Sequence, residues 1–544
     1  MPVQVFPDVL DCELEVARVE SGVPAANWTN YPFPPVVGTG QSGPQSIRTV
    51  VLENELLRVT VAVDLGGRIL EVLDKRTGTE LLPKVNALTL AGLATTGVQW
   101  AVGPDVRPTA TGPMHWMMQE PEDDDDAGEL RLFELIPGAH LSLAVTLTLQ
   151  PEEAVLAWEM RVHNRGFRSL EIWPGLRFPG ETSLDSKRRA GFAVVDEDCA
   201  FDQPYQRHQM LGPRESAVLR AKLVAVSGTS ELSEVNLAGS IHLQADQVFV
   251  QLSWPPEDAE LHLQARSHQA FKSPLQLDQS LTARIPLTGD VANPARVIVT
   301  AGGQPILGAT PESRPLSPNR KPALQPAIQT PETEEELSIA TREAGLRGAA
   351  YARLGQLAAA AENWPLAAER FEAALMFNGD DPLAWADRAL CDRHLAPDEQ
   401  SQALLNAHFL SPMEPMLRAA AFLAQPGGFS ADPHPLVAPL AEDPEALIDV
   451  AVRLLELGQW VDAGRWIDEA LRHRPLALLK ILQAYLLQFR SNMAAEAAGL
   501  VRDLETLPIE PPYPWHPTVL SALKELSDKF PDSPALQKWV KKEF

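Results

Sequence analysis

Apolar and polar positions alternate along the chain up to about residue 303, and beyond residue 336 they recur with a helical period instead. Leu57, Val59, Val61 and Val63 alternate with Arg58, Thr60, Ala62 and Asp64, the period of a strand with one buried face. Gly66-Gly67 breaks that strand, a second short run follows from Ile69 to Leu73, and Asp74-Lys75-Arg76-Thr77-Gly78 turns the chain. Gly78 is placed to take the positive φ that closes such a turn. Leu141, Leu143, Val145, Leu147 and Leu149 form the next alternating run, Pro151-Glu152-Glu153 reverses direction, and Leu156, Trp158, Met160 and Val162 alternate on the return. This predicts an antiparallel hairpin with one buried face. Val248, Val250 and Leu252 repeat the pattern, as do Leu261 with Leu263 and Val297 with Val299. Many strands with turn signals and no interleaved helical pattern predict a large antiparallel β-sandwich over 49–303, with residues 1–48 as an arm packing on it.

Prolines 305, 311, 315, 318, 322, 326 and 331 then follow among Ser, Thr and Gln. This composition predicts an extended, semi-rigid linker over 304–335. Pro331 and the acids Glu332, Glu334, Glu335 and Glu336 lead into a helix whose first turn suits the dipole. From 336 to 544 the chain is rich in Ala and Leu. Leu354, Gly355, Ala367, Phe371 and Ala374 fall on the spacing of a tetratricopeptide unit, with Trp364 at the turn between its helices and Trp385 opening the next unit. Gly458, Trp460, Ala463, Ile467, Ala470 and Pro475 repeat the register, and Ala497 with Val501 continues it roughly 34 residues later. Ala367, Ala463 and Ala497 are read as small because two helices cross there. The fold class expected is therefore β then α: a sandwich followed by an α-solenoid of about four or five helix pairs, loosened between Gln425 and Asp443.

The chain of 544 residues carries a net charge of −26. Such a field opposes nucleic acid and anionic membrane, and it leaves a neutral ligand such as a sugar open. Asp123 to Asp126 is the sharpest acidic run; with no calcium-loop spacing around it, a solvated loop tip is expected. Cys12, Cys199 and Cys391 lie far apart, so neither a disulfide framework nor a paired-cysteine metal site is expected. No phosphate-binding glycine loop, nucleophile elbow or HExxH motif is present, and no cofactor or metal is expected. No apolar run approaches the roughly 20 residues that span a bilayer. The N-terminus lacks a basic region followed by an apolar core, so a cytoplasmic location is expected.

Arg68, a charged residue directly after two glycines, is the unusual element of the first hairpin: glycines permit close approach and a guanidinium offers a planar fork of donors. A solvated hairpin arginine is the alternative. Beyond these readings, several blocks resemble a galactose-mutarotase-like domain. More closely, they resemble an uncharacterised bacterial family that joins such a domain to tetratricopeptide repeats. The blocks are Glu53-Asn54-Glu55 with Leu57-Arg58-Val59; Leu65-Gly66-Gly67-Arg68-Ile69; Asp74-Lys75 with Thr77-Gly78; Gly97-Val98-Gln99-Trp100 with Arg107-Pro108-Thr109; and Val162, Asn164-Arg165 and Trp173. The resemblance implies a sandwich that binds carbohydrate, and its enzymes use a histidine and a carboxylate at the anomeric carbon. The chain departs from that pattern. Gln99 stands where relatives have an acid, and Asp105 and Val106 stand where they have histidines; Gln99 cannot transfer a proton.

The candidate binding residues are Arg68, Gln99, Trp100, Asp105, Arg107 and His115, with the Trp100 ring suited to stacking on a sugar. His115 is the candidate to replace a lost histidine, with a structural role as the alternative, while His163, in the outward register of its strand, is expected to be a solvated or sheet-face residue. Three functions stay open. The first is a non-catalytic, carbohydrate-recognising sandwich coupled to a protein-binding repeat scaffold. The second is a carbohydrate-active enzyme, aldose 1-epimerase-like or processing glycosidic bonds, using Asp105 or a later acid with His115 or His208. The third is a purely structural scaffold.

Overall fold

The computed structural model describes residues 2–19, 36–82, 87–88, 97–103, 110, 112–136, 140–177, 190–196, 199–201, 209–227, 234–243, 247–256, 258–265, 270–278, 281–287, 294–309, 329–395, 397–411, 414–425, 436–489, 493–507 and 516–541. Antiparallel strands fill the first part and helices the second, as the patterning predicts. Two sheets form the main sandwich. One has six strands in the order 79–80, 68–74, 57–62, 36–53, 4–19 and 87–88. The other has seven, in the order 199–201, 190–196, 216–227, 155–164, 141–149, 128–136 and 115–119. Leu143 opposes Val162, Val145 opposes Met160 and Leu147 opposes Trp158 in the predicted hairpin. These side chains meet Val50, Leu52, Val59 and Val61 of the other sheet in one apolar core. Each such leucine or valine contributes about 1.5–3 kcal/mol by leaving water.

Three expectations are revised. Residues 4–19 and 36–53 are not an arm laid on the sandwich. They are long paired strands of its six-stranded sheet, with Gln4 opposite Glu53 and Cys12 opposite Gln45. Val3 and Val5 are buried but Val9 is exposed, so the alternation fades along the strand and its place comes from pairing. The strands at 247–252, 260–265 and 294–301 do not extend the first core. They build two four-stranded sheets around a second core that includes Ile241, Val250, Leu263 and Val299. Gln304–Ala309 is the last strand of that unit, paired with Pro294–Ala301, where the linker was expected to begin. Proline 305 is accepted there at the edge of a sheet, where its missing N–H costs no ladder bond. Residues 310–328, with most of the expected linker prolines, lie outside the described residues.

The Asn54 block ties together the two sheets of the main sandwich, and the Asp74–Gly78 block joins the two β units. Asn54 accepts from the backbone N–H of Leu56 and Leu57 and donates to the carbonyls of Gln150 and Glu153. Arg76 forks onto Asp74 at 2.8 Å, and both side chains are fully buried. The same guanidinium donates to the carbonyls of Leu252 and Ala225, while Gln251 donates to Asp74. Gly78 has φ +65°, as that turn requires.

Among the described residues the helices are α1 (Glu334–Ala340), α2 (Arg347–Ala360), α3 (Trp364–Phe377), α4 (Pro382–Leu395), α5 (Pro397–Leu410), α6 (Pro415–Ala424), α7 (Pro444–Glu456), α8 (Trp460–His473), α9 (Ala477–Phe489), α10 (Ala494–Asp503), α11 (Pro517–Lys529) and α12 (Pro534–Lys541). They pack as the pairs α2/α3, α4/α5, α7/α8, α9/α10 and α11/α12, with α1 and α6 between or before them. The repeat register is realised. Ala367, Ala463 and Ala497 are all fully buried, and a Cβ at Gly355 would sit 2.8 Å from the Phe371 ring. Proline at the first turn of α3, α6, α7 and α11 is tolerated because the N–H it lacks has no helical partner there. No described helix is long and apolar enough to cross a membrane.

The helical part lies on the outer face of the seven-stranded sheet. Phe133 and Leu135 on that face join Leu383, Leu447 and Trp466 of the helices in one apolar cluster, with Met117 and Ala144 packed against it.

Candidate functional site: a polar cleft at the joint

Where the sheet meets the helices, three helix N-caps each receive a side chain from the sandwich. Asp381 caps α4 by accepting from the N–H groups of Leu383 and Ala384 at 3.0 Å, and Arg214 grips it with two 2.8 Å bonds. Glu414 caps α6, and Arg165 reaches it at 2.9 Å while also holding Asp449 of α7 at 2.7 Å. Asp443 caps α7 through the N–H of Ala446 and faces His115 at 3.4 Å. A carboxylate at a helix N-terminus is already favoured by the helix dipole. The added cation fixes which helix end meets which strand.

Burial tunes these groups. It pushes the Asp381 carboxyl up, but Arg214, His163 and the hydrogen bonds from Arg214 and Ala384 outweigh it and hold Asp381 below the usual range. Asp449 behaves likewise under Arg165. Glu414 goes the other way: burial, with Asp449 nearby, raises it despite Arg165. His163 stands on the outward sheet face, as its register predicts, but it is covered by the helices and not solvated: it is 2% exposed, with Nδ1 3.0 Å from Ser216 Oγ and Nε2 3.5 Å from Asp381. Burial pulls its imidazole down to about 3, so it is neutral.

Beside this joint a cleft of about 930 Å³ opens at one end of the strands 128–136, 141–149 and 155–164. Asn164, Arg165 and Trp173 line it from the sandwich; Asp449, Glu456 and His516 line it from α7 and the cap of α11. His140 stands on its edge in a left-handed backbone conformation, φ 51°, a strained state for a residue with a Cβ. Its carbonyl accepts from the Arg165 N–H at 2.7 Å, which ties that turn to the next strand end. The His140 and His516 rings meet edge-on at 6.3 Å across the joint. His516 Nδ1 accepts from the Thr518 N–H, which leaves the proton on Nε2, 3.7 Å from Glu456. Imidazoles, carboxylates, an amide and an indole together present donors, acceptors and one flat apolar face.

The residues singled out in the sequence stand elsewhere. Arg68 is 1% exposed and donates to the carbonyls of Leu65 and Ala110, bracing the Gly66-Gly67 turn. A Cβ at Gly66 would sit 2.4 Å from the Ala110 oxygen, and its φ is +67°, so the turn needs glycine. Trp100 is 2% exposed, donates to the Gly67 carbonyl at 2.7 Å and tilts against Trp158. Gln99 is buried on the same short strand, which runs on to Gly103 in the cleft wall. His115 belongs to the joint. Asp105 and Arg107 lie outside the described residues, as does His208. Asp123 to Asp126 are exposed in a turn. Arg165 sat inside a recognised block without being chosen, and no local signal marks Asp449, Glu456 or His516 as its neighbours.

No protein-family model and no curated protein matches the chain. Among solved structures it is similar to a TPR-domain containing protein from Parabacteroides distasonis at 13% identity, covering 97% of this chain and 96% of that one, with a TM-score of 0.30. Over its β part it is similar to a galactose mutarotase-like protein from Clostridium acetobutylicum (10% identity, 48% of this chain and 94% of that one, TM-score 0.24). A putative aldose 1-epimerase from Escherichia coli is similar at 14% identity over 47% of this chain and 95% of that one, with a TM-score of 0.19.

Proposed function

We propose that this chain is a carbohydrate-recognising protein in which a β-sandwich and a helical, protein-binding repeat scaffold share one sugar site, the cleft at their joint. The observation that carries the reading is the cleft's lining. The charges that line it nearly cancel, Arg165, Arg168, Arg353 and Arg453 standing against Glu171, Glu332, Glu445, Asp449 and Glu456, so it offers hydrogen bonds without a strong net field. That suits a neutral polyol, and Trp173 offers an aromatic wall for the apolar face of a pyranose. The helices cover the outer face of the seven-stranded sheet, and the cleft opens beside that cover.

Calorimetric titration with D-glucose, D-galactose and D-mannose tests the reading. Binding of at least one sugar is expected, weakened roughly tenfold or more in Glu456→Gln by loss of a charged hydrogen-bond acceptor. No binding by the native chain overturns it and leaves the purely structural scaffold.

A second reading, a carbohydrate-active enzyme, is favoured by His140. An imidazole sharing a cleft with Glu456 and Asp449 is the kind of acid–base set that opens a hemiacetal. Exchange between α and β anomers followed by NMR separates the two: a rate above the uncatalysed one supports catalysis, and the uncatalysed rate supports recognition alone.

A further inference from the structure

We infer that occupancy of the cleft and docking of the helices onto the sandwich are thermodynamically coupled, so that sugar in the cleft tightens the grip on α4, α6 and α7. The inference rests on the cleft being the sugar site. Three observations support it. The cleft walls come from both parts of the molecule, so a ligand contacting both binds the docked arrangement and not the separated one. Beside the apolar cluster, the helix ends are fixed by buried charge pairs, whose attraction is largely offset by the desolvation of both ions, which leaves room for a ligand to tip the balance at those ends. Arg165 belongs to both events. It holds the cap of α6 and Asp449 of α7 through Nη2, it lines the cleft, and its buried Nε has no hydrogen-bond partner while the side chain is 9% exposed. A ligand touching the exposed part of that side chain pins it between the helices. Arg214 donates to the Arg165 carbonyl, so the α4 latch is connected to the same residue.

Coupling is reciprocal: whatever loosens a latch must weaken the sugar. Asp381→Asn keeps an oxygen that can cap α4 but removes the charge facing Arg214, and Asp381 does not line the cleft. The full-length chain is titrated with D-glucose, D-galactose and D-mannose, and amide exchange is followed in the first turns of α4, α6 and α7. The expected result is a loss of sugar affinity of roughly fivefold or more in Asp381→Asn, with slower exchange in those turns when the native chain is saturated. Asp443→Asn, at the α7 latch, serves in its place if Asp381→Asn does not fold. Sugar that binds the native chain without slowing exchange in those turns overturns the coupling whatever the variants do. Unchanged affinity in a variant whose latch exchanges faster also overturns it. No sugar bound by the native chain overturns the reading of the cleft itself.

Discussion

Two buried arginine–carboxylate sites use the same chemistry to different ends. Arg76 and Asp74 are two residues apart, both fully buried, and every guanidinium nitrogen of Arg76 has a protein partner. Arg165 meets Glu414 and Asp449 across sequence separations of 249 and 284, keeps one nitrogen unpartnered, and borders a cleft. A saturated pair can only hold structure. A pair that borders open space and joins two helices to the sandwich can also answer to a ligand. The difference between a strut and a sensor lies here in the cleft that borders one pair and not the other.

The comparison breaks most visibly through Arg76. Arg76→Met strands Asp74 in a sealed core and is expected to cost about 3–5 kcal/mol in chemical denaturation; a cost near zero would put the Asp74–Arg76 clamp among dispensable contacts. Arg165→Met is expected to cost less, about 1–3 kcal/mol at neutral pH, because proton uptake relieves it. With the cation gone, Glu414 and Asp449 are both raised, so the folded form prefers them protonated. The variant's deficit against the native chain should therefore narrow as pH falls through those raised values. A deficit independent of pH denies that the carboxylates are the cause. The smallest effect at neutral pH comes from His163. Burial lowers it to about 3, below an ordinary value near 6.5, so the unfolded form takes up protons first. Its stabilisation is complete above about pH 6.5 and is lost as pH falls toward that folded value. Amide exchange at the joint should quicken in that window, and His163→Gln should flatten the change.

Much of the architecture was legible from local pattern. Leu141 to Leu149 and Leu156 to Val162 reveal a hairpin because a period of two can satisfy only one buried face. Gly355, Ala367 and Phe371 reveal a helix pair because their sizes match a crossing. The opening strands were missed because Val9 is exposed and their burial is set by partners far along the chain. The division into two β cores was missed because strands of both units carry the same alternation. The Gly66-Gly67-Arg68 and Asp74–Gly78 blocks were rightly seen as special, yet their demands are mechanical: a turn that admits only glycine, a brace and a buried clamp.

Sequence by itself determined the order of parts, the hairpins and the repeat register, since each depends on residues a few positions apart or on a fixed period. Tertiary structure alone decided that Arg165, Arg214 and His115 would each meet a helix cap, and that Asp449, Glu456 and His516 would close a cleft against Asn164 and Trp173. Those meetings join residues hundreds of positions apart, and no local propensity encodes them. They follow from which sheet face the helices cover and where that cover stops.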